Sequence, residues 1–162
     1  MSSPSPTRSA EYKRRFAIAA CTAKWAVTMT KVRIRQAVVN APFPRWHFIS
    51  FVGTTGVESR GVVDMIAVRK DHSTPQDGLK RGDALQIILI QVKGGSAANP
   101  TSEDAARLRL VARLHNASEV LPAAWKKGRA ARFFSMRPEA AAGEPDWIEV
   151  PELTRIFCNA AN

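Results

Sequence analysis

Residues 85–95 read LQIILIQVKGG, and this stretch decides the fold. From Leu85 to Val92 every position except Gln86 and Gln91 is apolar, which predicts a strand buried on both faces. The Gly-Gly pair that follows ends the strand. A strand buried on both faces needs cover on each side of its sheet, so we expect an α/β protein.

The segments before this strand predict one helical region and two further strands. No proline or glycine interrupts residues 10–40, so we expect one long helix or two consecutive ones there. The sequence Ala-Pro-Phe-Pro then stops the helix. Strands are expected at Trp46–Val52 and Val62–Arg69. The apolar side chains that recur at helical spacing are Phe16, Ala19, Ala20, Ala23, Val27, Ile34, Ala37 and Val38.

The segment after the central strand predicts a second helix. Thr101 or Ser102 begins it, Asp104 stands three residues after Thr101 as in a capping box, and the helix runs to about Ala117. Its predicted buried stripe is Leu108, Val111 and Leu114.

The last third of the chain predicts a hairpin. Val120–Trp125 and Arg132–Met136 are expected to be its strands, with the turn at Lys127-Gly128. Trp147–Phe157 closes the domain in mixed form. The resulting order, α-β-β-β-α-β-β, predicts helices packed against a mixed sheet.

Composition predicts a single domain. A chain of 162 residues with 45% hydrophobic and 23% charged residues is ordinary for one globular unit. We expect a flexible Ser/Pro-rich tail at 1–9 and one domain over 10–158.

The sequence has no apolar run of membrane-spanning length and no secretory pattern at its start, so we expect a cytoplasmic protein without a membrane partner. Cys21 and Cys158 fit no metal-ligand spacing and are expected to be unpaired.

The charge distribution favours a polyanionic partner. The net charge is +10, and residues 1–50 hold nine of the basic residues but Glu11 as their only acid. Nucleic acid is the commonest polyanion. A solvated basic helix face or an acidic protein partner is the alternative.

Three polar residues are predicted to meet where the central strand ends. Gln91 and Lys93 stand two apart and share a face, and an antiparallel pairing would bring Asp64 beside Gln91. Buried groups of this kind need partners. The Asp64 carboxylate and the Gln91 amide oxygen are ligands that Mg²⁺ prefers, with Lys93 free to stabilise charge at a phosphate or orient the attacking water. The alternative is a turn aspartate, with Gln91 and Lys93 marking where the strand meets solvent.

The same residues carry a family resemblance. Gly61-Val62-Val63-Asp64 and Ile90-Gln91-Val92-Lys93 resemble the motif of the PD-(D/E)XK (restriction-endonuclease-like) nucleases, in particular the Holliday-junction-resolvase-like and small restriction-type branches. The resemblance covers about Val32 to Met136 and implies an α-β-β-β-α-β core. It also implies a Mg²⁺- or Mn²⁺-dependent endonuclease that hydrolyses phosphodiester bonds in DNA, including branched or structured DNA. A homodimer is one arrangement that the family uses. The implied catalytic residues are Asp64, Gln91, Lys93 and Glu58, and the implied metal site is Asp64, Gln91 and Val92.

The sequence departs from the family's pattern at two positions. Val63 replaces the proline of the motif, and Gln91 replaces the usual acid, although some restriction-type branches with Gln-x-Lys are active. The family's further acid, from the first helix, falls near Gln36 here. We therefore take Glu58 as its substitute, with an exposed loop glutamate as the alternative, and Glu11 lies further upstream.

A basic surface near the motif is expected to hold phosphates without reading sequence. Its expected members are Arg60, Lys126, Lys127, Arg129 and Arg132. The alternative is that the four basic residues of the hairpin, at 126–132, belong to a solvated turn and bind nothing. The aromatic side chains expected in the core rather than against bases are Trp46, Trp125, Phe133 and Phe134. Two further hypotheses stay open: a non-catalytic DNA-binding module that retains the nuclease fold, and a basic interaction subunit of a larger assembly.

Overall fold

A mixed sheet of six strands forms the centre of the described part of the molecule. The computed structural model describes residues 8–39, 44–51, 61–73, 78–95, 101–137 and 147–158. The helices are α1 (Arg8–Val38), α2 (Ser102–Leu114) and α3 (Thr154–Phe157). The strands are β1 (His47–Ser50), β2 (Met65–Lys70), β3 (Leu85–Gly94), β4 (Glu119–Trp125), β5 (Arg132–Met136) and β6 (Trp147–Glu149). The predicted α/β class is confirmed.

The strands lie in the sheet in the order in which they follow along the chain. All neighbours are antiparallel except β3 and β4, which are parallel and therefore need the crossover that α2 provides. β3 is hydrogen-bonded on both edges, from Met65↔Ile90 on one side to Gly94↔Trp125 on the other. Its central position explains why its sequence is apolar almost throughout.

Each face of the sheet carries its own hydrophobic core, and β3 contributes alternate residues to both. On one face, Val27 and Ile34 of α1 pack in the same cluster as Ile88 and Ile90. On the other face, Leu108 of α2 packs in the same cluster as Leu89. Side chains at even positions of β3 therefore point to α1, and those at odd positions point to α2.

α1 crosses the sheet antiparallel to β3. Near the end of β3, a β-carbon added to Gly94 would lie 2.9 Å from the Ala26 side chain, so glycine is what allows helix and strand to approach this closely. At the other end of α1, the Ala37 carbonyl accepts a bond from Cys158 Sγ. Cys158 follows Phe157, whose carbonyl accepts from Arg69, a residue paired in register with Gln86 near the start of β3.

Most predicted elements are present, with shifted ends. The first helix is one continuous helix that begins at Arg8, inside the stretch predicted as a flexible tail; residues 1–7 lie outside the described residues. β2 begins at Met65 rather than Val62. β3 continues to Gly94 because its pairing with β4 does. The predicted capping box at Thr101 is confirmed, although the helix ends at Leu114 rather than near Ala117.

The predicted core is largely correct. All four aromatic residues expected there are buried, namely Trp46, Trp125, Phe133 and Phe134. Cys21 and Cys158 are unpaired, as predicted. Three predicted core positions are wrong: Phe16 is 55% exposed, Leu114 is 78% exposed, and Ala19 is exposed as well. Among the described helices, none is long and apolar enough to cross a membrane.

Candidate active site

The motif residues lie at one edge of the sheet, where β3 and β4 both end. We call it the site edge; it comprises residues 91–95 of β3 with its following turn and 125–129 of β4 with its following turn. Gln91 and Lys93 are at odd positions of β3, on the face that α2 covers. Met65 pairs with Ile90, so Asp64 comes directly before the paired part of β2 at the same place.

Asp64 is fixed against the backbone of β3. Its amide donates to the Ile90 carbonyl at 3.0 Å, and its Oδ2 accepts from the Val92 amide at 2.6 Å. The side chain thus takes over a bond that the backbone of a longer β2 would make, which explains why β2 begins at Met65 rather than at Val62. The carboxylate is buried, with Asp64 7% exposed, and it lies against the peptide that joins Gln91 to Val92.

Gln91 is buried, and the oxygen of its side-chain amide lacks a hydrogen bond within the described residues. The residue is 4% exposed, and its Oε1 has no hydrogen-bond partner within the described residues. Leaving a buried amide oxygen unpaired costs about 1–3 kcal/mol. A ligand that binds this oxygen would therefore stabilise the folded protein. Val92, the third predicted metal residue, has its side chain in the core beneath α1. Only its main-chain atoms are therefore available to the site edge.

Lys93 is held by an acid that sequence reasoning assigned only to capping. Its Nζ lies 3.2 Å from Asp104 Oδ2, in the first turn of α2. The same oxygen accepts from the Thr101 amide at 3.1 Å, so Asp104 joins the helix cap to the site edge. Burial acts to raise the pKa of Asp104, but the bonds from Thr101 and Lys93 and the charge of Lys93 hold that pKa below its usual value.

Glu58, Glu11 and the position of Gln36 are the places where the sequence predicts or would allow a further acid. Glu58 and Arg60 lie outside the described residues. Gln36 adjoins Ala37 at the end of α1 that is remote from Gly94, so the position expected from motif order is far from the site edge. Glu11 forms an exposed ion pair with Arg15. Within the described ranges, no three histidine, cysteine, aspartate or glutamate side chains form a group able to hold a metal ion.

The predicted basic hairpin lies at the site edge, because β4 is parallel to β3 and ends beside it. Lys126, Lys127 and Arg129 are exposed there, and Gly128 adopts the positive φ of +79° that its tight turn requires. Arg132 differs from them. It binds both carboxylate oxygens of Glu149, and these bonds and the charge of Glu149 raise the pKa of Arg132.

A cavity of about 670 Å³ lies at the opposite edge of the sheet, where β4 begins. Arg109, Glu119 and Met136 are among its lining residues. Burial raises the pKa of Glu119, although the Val120 amide and the Ser135 hydroxyl donate to its carboxylate. Because Glu119 pairs with Ile88, this cavity is remote from Lys93 and does not belong to the site edge.

Comparisons of the chain with protein-family models, curated proteins and solved structures return no match. The chemistry and geometry of the site edge are therefore the features that indicate a function.

Proposed function

We propose that this chain is a restriction-endonuclease-like DNA endonuclease that hydrolyses phosphodiester bonds with Mg²⁺ or Mn²⁺. The observation that carries the proposal is the unpartnered Oε1 of buried Gln91, a residue whose peptide bond to Val92 carries the amide that anchors the Asp64 carboxylate. The element order α1-β1-β2-β3-α2-β4 supports the same conclusion, because it is the order that the motif's family implies. A cytoplasmic location and a homodimer stay predictions.

The donor set fits a hard divalent cation. Asp64 would contribute a carboxylate oxygen, Gln91 its amide oxygen, and Val92 can contribute only from its main chain. Such an ion, when bound, supplies Lewis-acid activation of the phosphate and of a water molecule. Gln91 offers no negative charge, so the set binds a divalent ion more weakly than one with an acid at position 91.

The chain's own residues hold the substrate and stabilise charge. Asp104 keeps the Lys93 ammonium beside the site edge, where it stabilises negative charge on the phosphate oxygens. Lys126, Lys127 and Arg129 extend positive charge along the same edge and hold neighbouring phosphates. Arg132 contributes less, because its two hydrogen bonds to Glu149 hold its guanidinium toward β6.

A non-catalytic DNA-binding module is the second candidate. The presence of an amide at 91, where the family has an acid, favours it. In that case the basic surface would bind DNA and the site edge would have no metal-dependent activity.

The test is cleavage of supercoiled, linear and branched DNA with Mg²⁺ or Mn²⁺ by wild type, Asp64→Asn and Asp71→Asn. The Asp64→Asn side chain can still accept the Val92 bond but loses the charge. Asp71 is the matched control, since its carboxylate also accepts a backbone bond, from Ser73 at 2.8 Å, but beyond the far end of β2. We expect Asp64→Asn alone to abolish cleavage and to keep its DNA affinity. A wild type inert on every substrate with both metals refutes the catalytic proposal and leaves the binding module.

A further inference from the structure

The first part of α1 projects beyond the sheet. α1 has 31 residues and is therefore about 46 Å long. At the end of β3, Thr22 and Ala26 of α1 lie against Gly94 and Gly95. Every residue from Ala10 to Ala19 is exposed. We call residues 10–19 the arm. Because α1 runs antiparallel to β3, the arm extends past the site edge.

The arm presents aromatic side chains to solvent. Tyr12 is 72% exposed and Phe16 is 55% exposed. They are four residues apart and thus share one side of the helix. Val27 and Ile34 lie on the same side of α1, further along the chain, and they are buried against the sheet. The core-facing stripe of α1 therefore continues for two turns past the point where the sheet ends.

Positive charge flanks these aromatic rings. Lys13, Arg14 and Arg15 are consecutive, so they project at steps of about 100° around the helix. Lys13 and Arg15 then lie on opposite flanks of the Tyr12–Phe16 stripe. Glu11 is the one acid of the arm, and it is paired with Arg15.

Aromatic rings beside cations fit a nucleic acid with unpaired bases. Such sites combine cations that follow the phosphates with rings on which bases stack. A duplex offers the phosphates but keeps its bases stacked on one another. A second copy of this chain would bring two arms of the same charge together, which repulsion opposes.

We propose that the arm binds an unpaired strand next to the site edge, with Tyr12 and Phe16 stacking on bases and Lys13, on the flank of the two rings, contacting a phosphate. This inference rests on the proposed action on DNA. It specifies the substrate as DNA that joins a single-stranded or branched segment to a duplex. The duplex lies along the exposed hairpin of Lys126, Lys127 and Arg129, at the same edge of the sheet.

The test measures binding of labelled oligo(dT) and of a duplex of equal length, by fluorescence anisotropy in EDTA across a salt series. Three variants of the full chain are compared: Tyr12→Ala/Phe16→Ala, the arm-charge variant Lys13→Ala/Arg14→Ala/Arg15→Ala, and the control Lys24→Ala/Arg33→Ala/Arg35→Ala. The control removes the same charge from exposed positions of the same helix, but beyond the arm.

The aromatic variant should bind oligo(dT) about tenfold more weakly and the duplex nearly as wild type. The arm-charge variant should lower the slope of log affinity against log salt for oligo(dT) by about 1–2, and the control should not. Unchanged oligo(dT) binding by the aromatic variant overturns the inference, as does a control that lowers the slope equally. A wild-type dimer that becomes monomeric in the aromatic variant, measured by sedimentation, also overturns it and assigns the arm to self-association.

These measurements need no cleavage. Arm-dependent binding by a protein without nuclease activity supports the inference and refutes the proposed catalysis. If the protein cleaves DNA and its arm variants bind oligo(dT) as wild type does, the proposed catalysis is supported and the inference about the arm is refuted.

Discussion

Gln91→Glu adds a carboxylate beside that of Asp64, and its effect on stability should depend on metal. The new carboxylate would be buried, since Gln91 is 4% exposed, and it would be separated from Asp64 by little more than the Gln91–Val92 peptide. Standard backbone dimensions put the two carboxylates on the order of 6 Å apart. Without metal, two like charges at this separation repel each other.

The magnitude follows from Coulomb's law. At about 6 Å and an effective dielectric constant of about 20, the repulsion is roughly 3 kcal/mol. A domain of this size loses about 2–4 °C of Tm per kcal/mol, so we expect Gln91→Glu to lower Tm by up to roughly 10 °C in EDTA. The loss should shrink as pH falls, because like charge and burial raise the pKa of the new carboxyl and protonation removes the repulsion.

Mg²⁺ should offset most of this loss of stability. An ion at about 100 times its Kd adds about 2.7 kcal/mol to the folded state, and the added negative charge lowers that Kd. Differential scanning fluorimetry in EDTA and across a Mg²⁺ series measures the effect. Gln86→Glu is the matched control on the same strand. Its Oε1 accepts from Arg69 at 2.7 Å near the start of β3, so Mg²⁺ should have no extra effect on that variant.

The same two variants separate the enzyme from the binding module. We expect Gln91→Glu to cleave DNA at a lower Mg²⁺ concentration than wild type does. If Mg²⁺ raises the Tm of Gln91→Glu no more than that of Gln86→Glu, position 91 does not face a metal and the assignment of the site is wrong.

Three other changes test the roles of single residues. Lys93→Ala should suppress cleavage while keeping the Mg²⁺-dependent rise in Tm, because an ammonium is not a metal ligand; loss of that rise in the same fluorimetric assay would contradict the assignment. Gly94→Ala should destabilise the protein by about 1–3 kcal/mol in urea denaturation, since its β-carbon would meet Ala26 at 2.9 Å, and an unchanged midpoint would show that α1 shifts at no cost. Glu119→Gln should raise Tm at neutral pH and have little effect in acid. The folded-state pKa of Glu119 is raised, so wild type loses stability as the pH rises from the usual pKa of a carboxyl group through the raised pKa. If Glu119→Gln raised Tm equally at every pH, this reasoning would be refuted.

Local sequence patterns predicted most of the secondary structure. The run from Leu85 to Val92 indicated the central strand, and Thr101 with Asp104 located the start of α2. Both signals act within a few residues, through burial and through capping bonds. The exact start of β2 was not predicted, because it depends on a hydrogen bond between Asp64 and Val92, which are distant in the sequence.

Helical periodicity identified which side of α1 is apolar but not where that side meets the sheet. Phe16 and Ile34 occupy the same stripe, yet one is 55% exposed and the other is 0% exposed. The difference arises because the sheet ends near Gly94, and the length of the sheet is not a property of the helix. The direction of α1 likewise decided that Gln36 is remote from the site edge.

The sequence by itself determined the residue types of the candidate site and their order along the chain: an aspartate before one strand, then an amide and an ammonium on one face of the next. Only the tertiary structure decided that Asp104 holds Lys93 and that Gln91 Oε1 is buried without a described partner. The physical reason is that alternation and capping are fixed by neighbouring residues. Contact between Lys93 and Asp104 and the burial of Gln91 require α2 to lie on a particular face of the finished sheet.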